Sequence, residues 1–328
     1  MKNKILTVSV AAYNLEKLIE DNLKSFVSSE VNDLIEVIVT DDGSKDKTSE
    51  IVERYAREYP DTILLVKQEN TGAGSTVNSG LRHASGKYFK MVDGDDWVET
   101  SNLNILVKKL KKIEADMVIT NYETYDDSAK KIIGSTKFQI ETEKELEFKE
   151  ICKNLSLDMH NVIYKTSILK DNNIVLDNGF YTDMEYLLLP IPFVKKVVYY
   201  DMNIYVYRIA REGQSVSLPS MQRNINMHHL VLKRLIKYYE DNKNDLPHNV
   251  RNYITNRLGD MADTELMTLL TFENNNLQKD KIKDFFNEIK LSSMDIYDKF
   301  KRGKKEKMLL FSNFGLYNFV SKIVINKF

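Results

Sequence analysis

The first hundred residues alternate between two periodic patterns of hydrophobic and polar positions. Short apolar runs rich in β-branched residues are separated by longer stretches in which apolar residues recur every three to four positions. This alternation predicts strand–helix–strand repeats, which fold into a mostly parallel sheet with helices on its faces. The predicted strands are Ile5–Val10, Leu34–Val39, Ile63–Val66 and Tyr88–Val92, and the predicted helices are Leu15–Ser28, Thr48–Glu58 and Ser75–Ala84.

The rest of the chain becomes more helical toward its end. We expect an α/β domain over residues 1–215, divided into halves at residues 1–100 and 101–215, and a helical C-terminal region over residues 216–328. Within these parts the pattern predicts a helix over 101–113, a strand over 116–120, a hairpin or excursion over 127–150, one or two strands over 197–207 and helices over 221–290.

A polar segment follows each of the four predicted strands. The segments read AAYN, DDGS, ENTGAG and DGDD in chain order. Because ligands of parallel α/β sheets bind at the carboxyl ends of the strands, we expect these four loops to line one crevice.

The DGDD segment places Asp93, Asp95 and Asp96 within four positions. Carboxylates this close repel one another unless a cation lies among them. Mg²⁺ or Mn²⁺ typically binds one or two carboxylates together with waters and phosphate oxygens, so the segment fits a metal held between the protein and a phosphorylated ligand. Gly94 lets the backbone approach that ligand closely. The alternative is a solvated acidic turn that caps the following helix.

Two further segments bear on the ligand. Asp42, at the end of the second strand, can accept hydrogen bonds from a nucleobase or ribose, although a capped strand-to-helix turn also explains the run around it. The segment NTGAGSTVNSG is rich in glycine, but Val77 stands where the dinucleotide-binding fingerprint requires Gly or Ala. A Rossmann-type oxidoreductase is therefore disfavoured.

The polar segments lie in longer motifs that occur in order: VSVAAYN, EVIVTDDGSKDKT, ENTGAGSTVNSGLRHASGKY and FKMVDGDDWVE. This series resembles the nucleotide-binding half of a bacterial family 2 glycosyltransferase, and the resemblance continues more weakly through residues 158–218. It implies the GT-A fold, a mostly parallel Rossmann-like sheet flanked by helices, here with a helical C-terminal extension. The halves 1–100 and 101–215 would bind nucleotide and acceptor respectively.

The resemblance also implies a reaction. Family members of this type move a hexose or N-acetylhexosamine from a UDP-sugar to a hydroxyl of a glycan or lipid-linked acceptor, with inversion and with Mn²⁺ or Mg²⁺, in surface polysaccharide synthesis. A nucleotidyltransferase and a non-catalytic sugar-nucleotide or glycan-binding module are the alternatives.

The resemblance assigns roles to individual residues. It places Ala11 and Tyr13 beside the uridine, Asp42 on the uracil edge, Asp93 near the ribose and sugar hydroxyls, and Asp95 on the metal. One departure is Val77, because the family often has Arg there to reach the sugar or diphosphate. The remaining members of the expected nucleotide-sugar and metal sites are Asn70 and Gly94 for the donor and Asp93 as a second metal ligand.

The segment GFYTDMEY resembles the part of the family that carries the catalytic base. Asp183 occupies the base position and Tyr186 the aromatic position, with Thr182 where Glu is common. Glu185 is a rival base. The alternative is an N-capped helix beginning at Thr182, in which Asp183 only complements the helix dipole.

The segment YRIAREGQSVS offers cations for a diphosphate. Arg208, Arg211 and Ser215 fall within it, and arginine suits bidentate contact with phosphate. We expect Arg211 and Ser215 to belong to a loop that closes over the donor, with an ordinary exposed basic loop as the alternative.

Charge is balanced along the whole chain but not at its end. Lys+Arg 47 against Asp+Glu 48 gives a formal net charge of -1, which disfavours a nucleic-acid partner. Residues 301–328 carry seven cations and one anion beside a run of apolar residues. This basic amphipathic tail suits an anionic membrane surface. The alternative is a terminal helix docked on its own domain or on a partner in a homo-oligomer.

Other features indicate the compartment. Cys152 is the single cysteine, which excludes an intrachain disulfide and fits a small buried residue. No segment has the length of a signal peptide, and no run reaches the roughly 18 apolar residues of a spanning helix. We therefore expect a cytoplasmic protein, peripheral on the inner face of the membrane if the tail binds lipid. His228, His229 and His248 lack metal-ligand spacing, and His160 lies near the expected acceptor region.

Overall fold

The computed structural model describes residues 4–27, 30–179, 181–210, 217–273 and 275–326. The chain forms two compact units, Met1–Arg211 and Glu212–Phe328.

The first unit contains one sheet of ten described strands. The strands are β1 (Leu6–Ala12), β2 (Ile35–Asp41), β3 (Ile63–Lys67), β4 (Tyr88–Asp93), β5 (Trp97–Val98), β6 (Met117–Asp126), β7 (Lys131–Ser135), β8 (Glu145–Glu147), β9 (Val162–Lys165) and β10 (Lys196–Ile209). Eight of them are paired in the order β3, β2, β1, β4, β9, β6, β10 and β5, with β7 paired to β6 and β8 paired to β10.

The four N-terminal strands are parallel and end at one level. Ala12 of β1 lies opposite Asp41 of β2, and Ala11 lies opposite Asp93 of β4. The predicted strands of the first hundred residues are thus confirmed, each within two residues at its ends. Their carboxyl ends meet at one edge of the sheet, which brings the polar segments that follow them together.

Helices flank this sheet, and α1 (Ile19–Phe26) begins later than the pattern predicts. The backbone N–H of Leu15 donates to Oγ1 of Thr48 and that of Glu16 donates to Asp46, so the loop after β2 holds this segment in turns. The other helices of this unit are α2 (Thr48–Glu58), α3 (Ala73–His83), α4 (Thr100–Leu110), α5 (Phe148–Ile151), α6 (Thr166–Asp171) and α7 (Thr182–Leu188).

Residues 127–150 supply the second strand of a hairpin, because β7 pairs antiparallel with β6, which ends before this segment at Asp126. The segment then returns along the sheet, where β8 pairs with β10. The region predicted as one or two strands is the single strand β10, whose pairing with β6 shifts register between Tyr199 and Tyr205.

The second unit is helical, as the spacing of its apolar residues predicts. Its helices are α8 (Leu218–Arg223), α9 (Ile225–Asn242), α10 (His248–Leu269), α11 (Asn276–Ser292), α12 (Met294–Phe300), α13 (Lys304–Phe311) and α14 (Tyr317–Ile325). The basic tail therefore forms two short helices, and the chain turns between them at Asn313 and Phe314, both with positive φ. None of the described helices has the length and apolar character needed to cross a bilayer.

Candidate active site

The DGDD segment forms a tight turn at the end of β4. The N–H of Gly94 donates to the carbonyl of Ala11, which ties the turn to β1. The buried amide of Asn22 on α1 donates to the carbonyls of Asp93 and Asp96 at 3.1 and 2.9 Å. The turn does not cap α4, which begins at Thr100 without a side-chain cap. The alternative of a solvated acidic turn that caps the following helix is therefore wrong for this segment.

Asp96 is the buried member of the three carboxylates, with 2% of its surface exposed. Its Oδ2 accepts a 2.5 Å hydrogen bond from the hydroxyl of Tyr205, and its Oδ1 accepts one of 2.8 Å from the N–H of Arg208. Burial, followed by the charges of Asp95 and Asp93, raises the pKa of Asp96 well above its usual range. Asp96 thus joins the turn to β10.

Arg208 lies in β10 and is buried, not in a mobile loop as its segment predicts. Its Nη1 donates to Asp127 at 2.9 Å, its Nη2 to Asp21 at 3.0 Å and its Nε to the carbonyl of Asp95 at 2.9 Å. Its guanidinium also lies 4.7 Å from the centre of the Trp97 ring. Arg208 therefore holds the DGDD turn in place and is not available to a diphosphate.

Asp42 is buried and organises the loop that follows β3. Its Oδ1 accepts hydrogen bonds from Gln68 Nε2 (2.8 Å) and the N–H of Thr71 (3.0 Å), and its Oδ2 accepts one from the N–H of Gly72 (2.9 Å). The carboxylate that the family resemblance places on the uracil thus also shapes the loop containing Asn70.

The glycines of this loop allow a close backbone contact. Gly72 has φ +101°, and a Cβ on either Gly72 or Gly74 would overlap the backbone of residues 177–178. Asn78 continues the contact, because its side chain exchanges two hydrogen bonds with the backbone of Leu176 at 2.8 and 2.9 Å. Val77 beside it is buried.

The two candidate bases on α7 have different environments. Glu185 is fully buried and accepts a 2.6 Å hydrogen bond from the N–H of Asp177. Asp183 lies on the exposed side of the helix, which begins at Thr182 with no side-chain cap from Tyr181. The buried Glu185 anchors the segment that contacts α3, and Asp183 is the exposed carboxylate of the two.

A buried lysine and a histidine, neither of them assigned a role from the sequence, lie beneath the turn. Lys90 of β4 is fully buried and donates to the carbonyl of His160 at 2.9 Å. Burial lowers the pKa of Lys90 to about 7, and burial together with the Lys90 charge lowers that of His160 to about 3. The run KYFKMV could have indicated the buried lysine, because a lysine inside an otherwise apolar central strand must be buried.

The His160 ring lies among three tyrosines, with centroids 4.9 Å from Tyr122, 4.5 Å from Tyr205 and 4.6 Å from Tyr207. Its Nδ1 is shielded from solvent and has no hydrogen-bond partner among the described residues.

The donor atoms at this turn fit a divalent cation. One ligand atom each of Asp93, Asp96 and His160 lie within 4.8 Å of one another. Carboxylate oxygens with a neutral imidazole nitrogen suit Mn²⁺ and related ions. Asp95, the metal ligand that the resemblance implies, is on the same turn but is not a member of this group.

The remaining predicted residues lie at the same edge or outside the described structure. Ala11 ends β1, and the side chain of Tyr13 is 47% exposed just beyond it. Asn70 is exposed on the loop after β3. Arg211 and Ser215 lie outside the described residues.

Comparison with known proteins places the chain in a family. Residues 7–172 match the model of glycosyl transferase family 2. The glycosyltransferase GlyA of Streptococcus pneumoniae is 29% identical over 224 residues, which cover 64% of this chain and 31% of that protein. The uncharacterized glycosyltransferase EpsJ of Bacillus subtilis is 26% identical over 215 residues, covering 62% of this chain and 61% of its own. The chain thus spans less than two thirds of the length of either relative.

Solved structures confirm the fold. Residues 1–349 of Staphylococcus aureus TarS in complex with UDP superpose with a TM-score of 0.61 at 18% identity, covering 94% of this chain and 92% of that one. The same TarS fragment in complex with UDP-GlcNAc gives a TM-score of 0.58 at 19% identity. The predicted GT-A fold is confirmed by this likeness and by the sheet described above. With half of its length matching the family model, the chain belongs to glycosyl transferase family 2.

Proposed function

We propose that this protein transfers a hexose or N-acetylhexosamine from a UDP-sugar to an acceptor hydroxyl, with inversion and with a divalent cation. The observation that carries the proposal is that the DGDD carboxylates and Asp183 of α7 influence the same residue, Tyr207. Burial, and then the charges of Asp96, Asp93, Asp95 and Asp183, raise the pKa of Tyr207 to about 12. The DGDD carboxylates and the carboxylate on α7 therefore act electrostatically on the same side chain, and a metal-bound donor and a general base must likewise act at one reaction centre.

In this mechanism Asp183 accepts the proton of the acceptor hydroxyl while the hydroxyl oxygen attacks the anomeric carbon. The bond from that carbon to the UDP oxygen breaks with the electron pair leaving on UDP, so the sugar changes configuration once. Asp93 and Asp95 are the proposed metal ligands. The bound cation, Mn²⁺ or Mg²⁺, would supply charge stabilisation for the departing diphosphate.

The donor site is assigned to the loops at the sheet edge. Tyr13 stacks beside the base and Asp42 accepts from the uracil edge, with Ala11, Asn70 and Gly94 lining the same crevice. Arg211 and Ser215, which lie outside the described residues, are the remaining members of the proposed set. The UDP and UDP-GlcNAc complexes of TarS support a UDP-sugar donor for this fold.

The test measures UDP release from a panel of UDP-sugars with Mn²⁺, with and without a chelator. We expect metal-dependent release from one donor, reduced by at least about 10²-fold in Asp183→Asn because a general base contributes 10²–10⁴-fold. Asp171→Asn, which changes an exposed carboxylate of α6, is the matched control and should retain full activity.

Two results would contradict the proposal. Release of pyrophosphate would indicate a nucleotidyltransferase. UDP binding without turnover on any glycan or lipid-linked acceptor would indicate a binding module.

The acceptor is proposed to be a glycan or a lipid-linked sugar of surface polysaccharide synthesis, met at an anionic membrane. The exposed face of α13 carries Lys304, Lys307 and Phe311 at helical spacing, and Phe311 is 95% exposed. Phe319 and Ile323 are exposed one turn apart on α14. No ion pair joins Lys304 or Lys307 to a described residue. Exposed aromatic residues beside unpaired cations suit an anionic interface.

Vesicle sedimentation tests the membrane contact. Full-length protein should bind vesicles containing phosphatidylserine and not those of phosphatidylcholine alone, and Phe311→Ser with Phe319→Ser should abolish binding. Leu277→Ser, at an exposed position of α11, is the control. If the double variant instead dissociates a homo-oligomer and leaves vesicle binding unchanged, the face is a protein interface.

A further inference from the structure

We propose that His160 is a nitrogen ligand of the divalent cation bound at the DGDD turn. The inference rests on the proposed function and deepens it, because it adds a ligand from a distant part of the chain. It also takes Asp96, not Asp95, as the carboxylate that joins Asp93. His160 follows Asp93 by 67 positions and lies in a short 3₁₀ turn (Met159–Asn161) directly before β9.

The first observation is the geometry of the donor atoms. A ring nitrogen of His160 and one carboxylate oxygen each of Asp93 and Asp96 lie within 4.8 Å of one another. Ligand atoms around one ion at metal-ligand distances of about 2.0–2.2 Å lie about 3–4 Å apart, so small side-chain movements complete the group. The hydrogen bonds from Tyr205 and Arg208 occupy one acceptor position on each oxygen of Asp96, and a carboxylate oxygen has two.

The second observation is the unsatisfied imidazole. Buried polar atoms in native proteins nearly always have partners, and an exception calls for an explanation. Nδ1 of His160 is shielded from solvent and has no hydrogen-bond partner among the described residues.

The third observation is how firmly this histidine is held. The side chain packs among Tyr122, Tyr205 and Tyr207, and Lys90 Nζ donates to its carbonyl. The turn that carries it is closed by Asp158 and Asn161, whose side chains each accept from the other's backbone N–H. Because packing fixes the ring, only the carboxylate side chains have to move when the cation binds.

Nitrogen ligation has a consequence for metal choice. Imidazole binds Mn²⁺ and later transition ions readily, whereas Mg²⁺ prefers an oxygen octahedron. The protein should therefore bind Mn²⁺ more tightly than Mg²⁺. His160→Gln should weaken Mn²⁺ binding at least about tenfold. The difference in affinity between Mn²⁺ and Mg²⁺ should then become smaller.

The test is pulsed electron paramagnetic resonance of the full chain loaded with Mn²⁺ and UDP, prepared with natural and with ¹⁵N-labelled histidine. We expect a nitrogen coupling whose frequency changes with the label. The coupling should vanish in His160→Gln and persist in His83→Gln, a control on α3. The isotope comparison on the wild-type protein stands even if the variant fails to fold.

Three outcomes would overturn the inference. Bound Mn²⁺ without a histidine coupling would refute nitrogen ligation and leave the proposed glycosyl transfer intact. A histidine coupling that persists in folded His160→Gln would assign the ligand to another histidine. Failure of Mn²⁺ to bind even with UDP would refute both this inference and the metal dependence of the proposed function.

Discussion

The hydroxyl of Tyr205 on β10 donates a 2.5 Å hydrogen bond to Asp96, the buried carboxylate of the DGDD turn, and accepts one of 3.2 Å from the N–H of Asp93. One phenol therefore contacts both ends of the acidic turn. The pKa of Tyr205 is raised well above its usual value by burial and by the neighbouring charges of Asp96 and Asp93, so the hydroxyl keeps its proton and remains a donor.

Tyr205→Phe should destabilise the first unit and impair the turn. Removing the hydroxyl leaves a buried carboxylate short of one donor, which costs about 1–3 kcal/mol. Urea denaturation should record this loss, and UDP-sugar turnover should fall with it. Tyr125→Phe is the control because no hydrogen bond of its hydroxyl is present among the described residues, and its stability should change by less than about 0.5 kcal/mol. Equal stability of the two variants would contradict the role of Tyr205.

Gly74→Ala should disrupt the contact between α3 and the segment before α7. The added methyl would overlap the carbonyl oxygen of Asp177, and overpacking of this kind costs about 1–3 kcal/mol. Gly134→Ala on β7 meets no atom within 4 Å and should be neutral or slightly stabilising. Thermal unfolding of both variants checks the prediction, which fails if they unfold at the same temperature.

Asp42→Asn should weaken UDP binding and loosen the loop after β3. The amide nitrogen cannot accept, so at least one of the hydrogen bonds from Gln68, Thr71 or Gly72 is lost. A hydrogen bond to a charged group contributes about 1.5–3 kcal/mol, which predicts roughly a ten- to hundredfold rise in the Kd for UDP. Calorimetry measures the affinity, and hydrogen exchange at Thr71 and Gly72 reports on the loop. If UDP binding weakens while hydrogen exchange at Thr71 and Gly72 is unchanged, Asp42 contacts the uracil base but does not stabilise the loop.

The second unit should show a pH-dependent stability that depends on His229. Its Nδ1 contacts Glu265 at 2.6 Å and its Nε2 contacts Glu288 at 3.2 Å, while His228 Nδ1 contacts Glu265 at 3.0 Å. The hydrogen bond with Glu265 raises the pKa of His229 above its ordinary 6.5. For Glu265, burial alone would raise the pKa, but the hydrogen bonds from the two histidines lower it below 4.5.

The signs of these shifts define a window. A raised histidine pKa adds stability that is complete below about pH 6.5 and is lost as pH rises through the folded value. A lowered glutamate pKa adds stability that is complete above about pH 4.5 and is lost as pH falls through its own folded value. The contacts of His229 and Glu265 should therefore stabilise the second unit most between about pH 4.5 and 6.5.

Chemical denaturation at pH 5.5 and pH 8.5 tests this window. Wild type should exceed His229→Gln in stability by more at pH 5.5 than at pH 8.5, because the protonated ring binds both carboxylates. His248→Gln, on the exposed first turn of α10, is the control. Its difference in stability from wild type should be the same at both pH values. A pH-independent difference for His229→Gln would contradict the prediction.

Much of the first unit follows from local pattern. Apolar periodicity determined the alternation of strand and helix over the first hundred residues, and the polar segments after β1, β2, β3 and β4 predicted a shared crevice at one sheet edge. Both features depend on neighbours in sequence, since a buried parallel strand needs a continuous apolar run and a flanking helix needs an apolar stripe. The turn residues that end each strand are local as well.

The roles of individual side chains at that edge depended on tertiary contacts. The sequence presents three equivalent acids at the turn and two acids on α7. Only packing distinguishes the buried Asp96 and Glu185 from the exposed Asp183. Arg208 resembled a loop cation, yet it is fixed by Asp21 and Asp127.

Neither His160 nor Lys90 belongs to a sequence motif that predicted its role. Their environment comes from β4, β6, β9 and β10, which lie far apart in the chain and adjacent in the sheet. Periodicity reports which face of an element is buried, but the free energy of a buried polar group depends on the partners that other elements bring to it. The amino-acid sequence therefore determined the fold and the location of the site, and the three-dimensional packing determined which residues can act there.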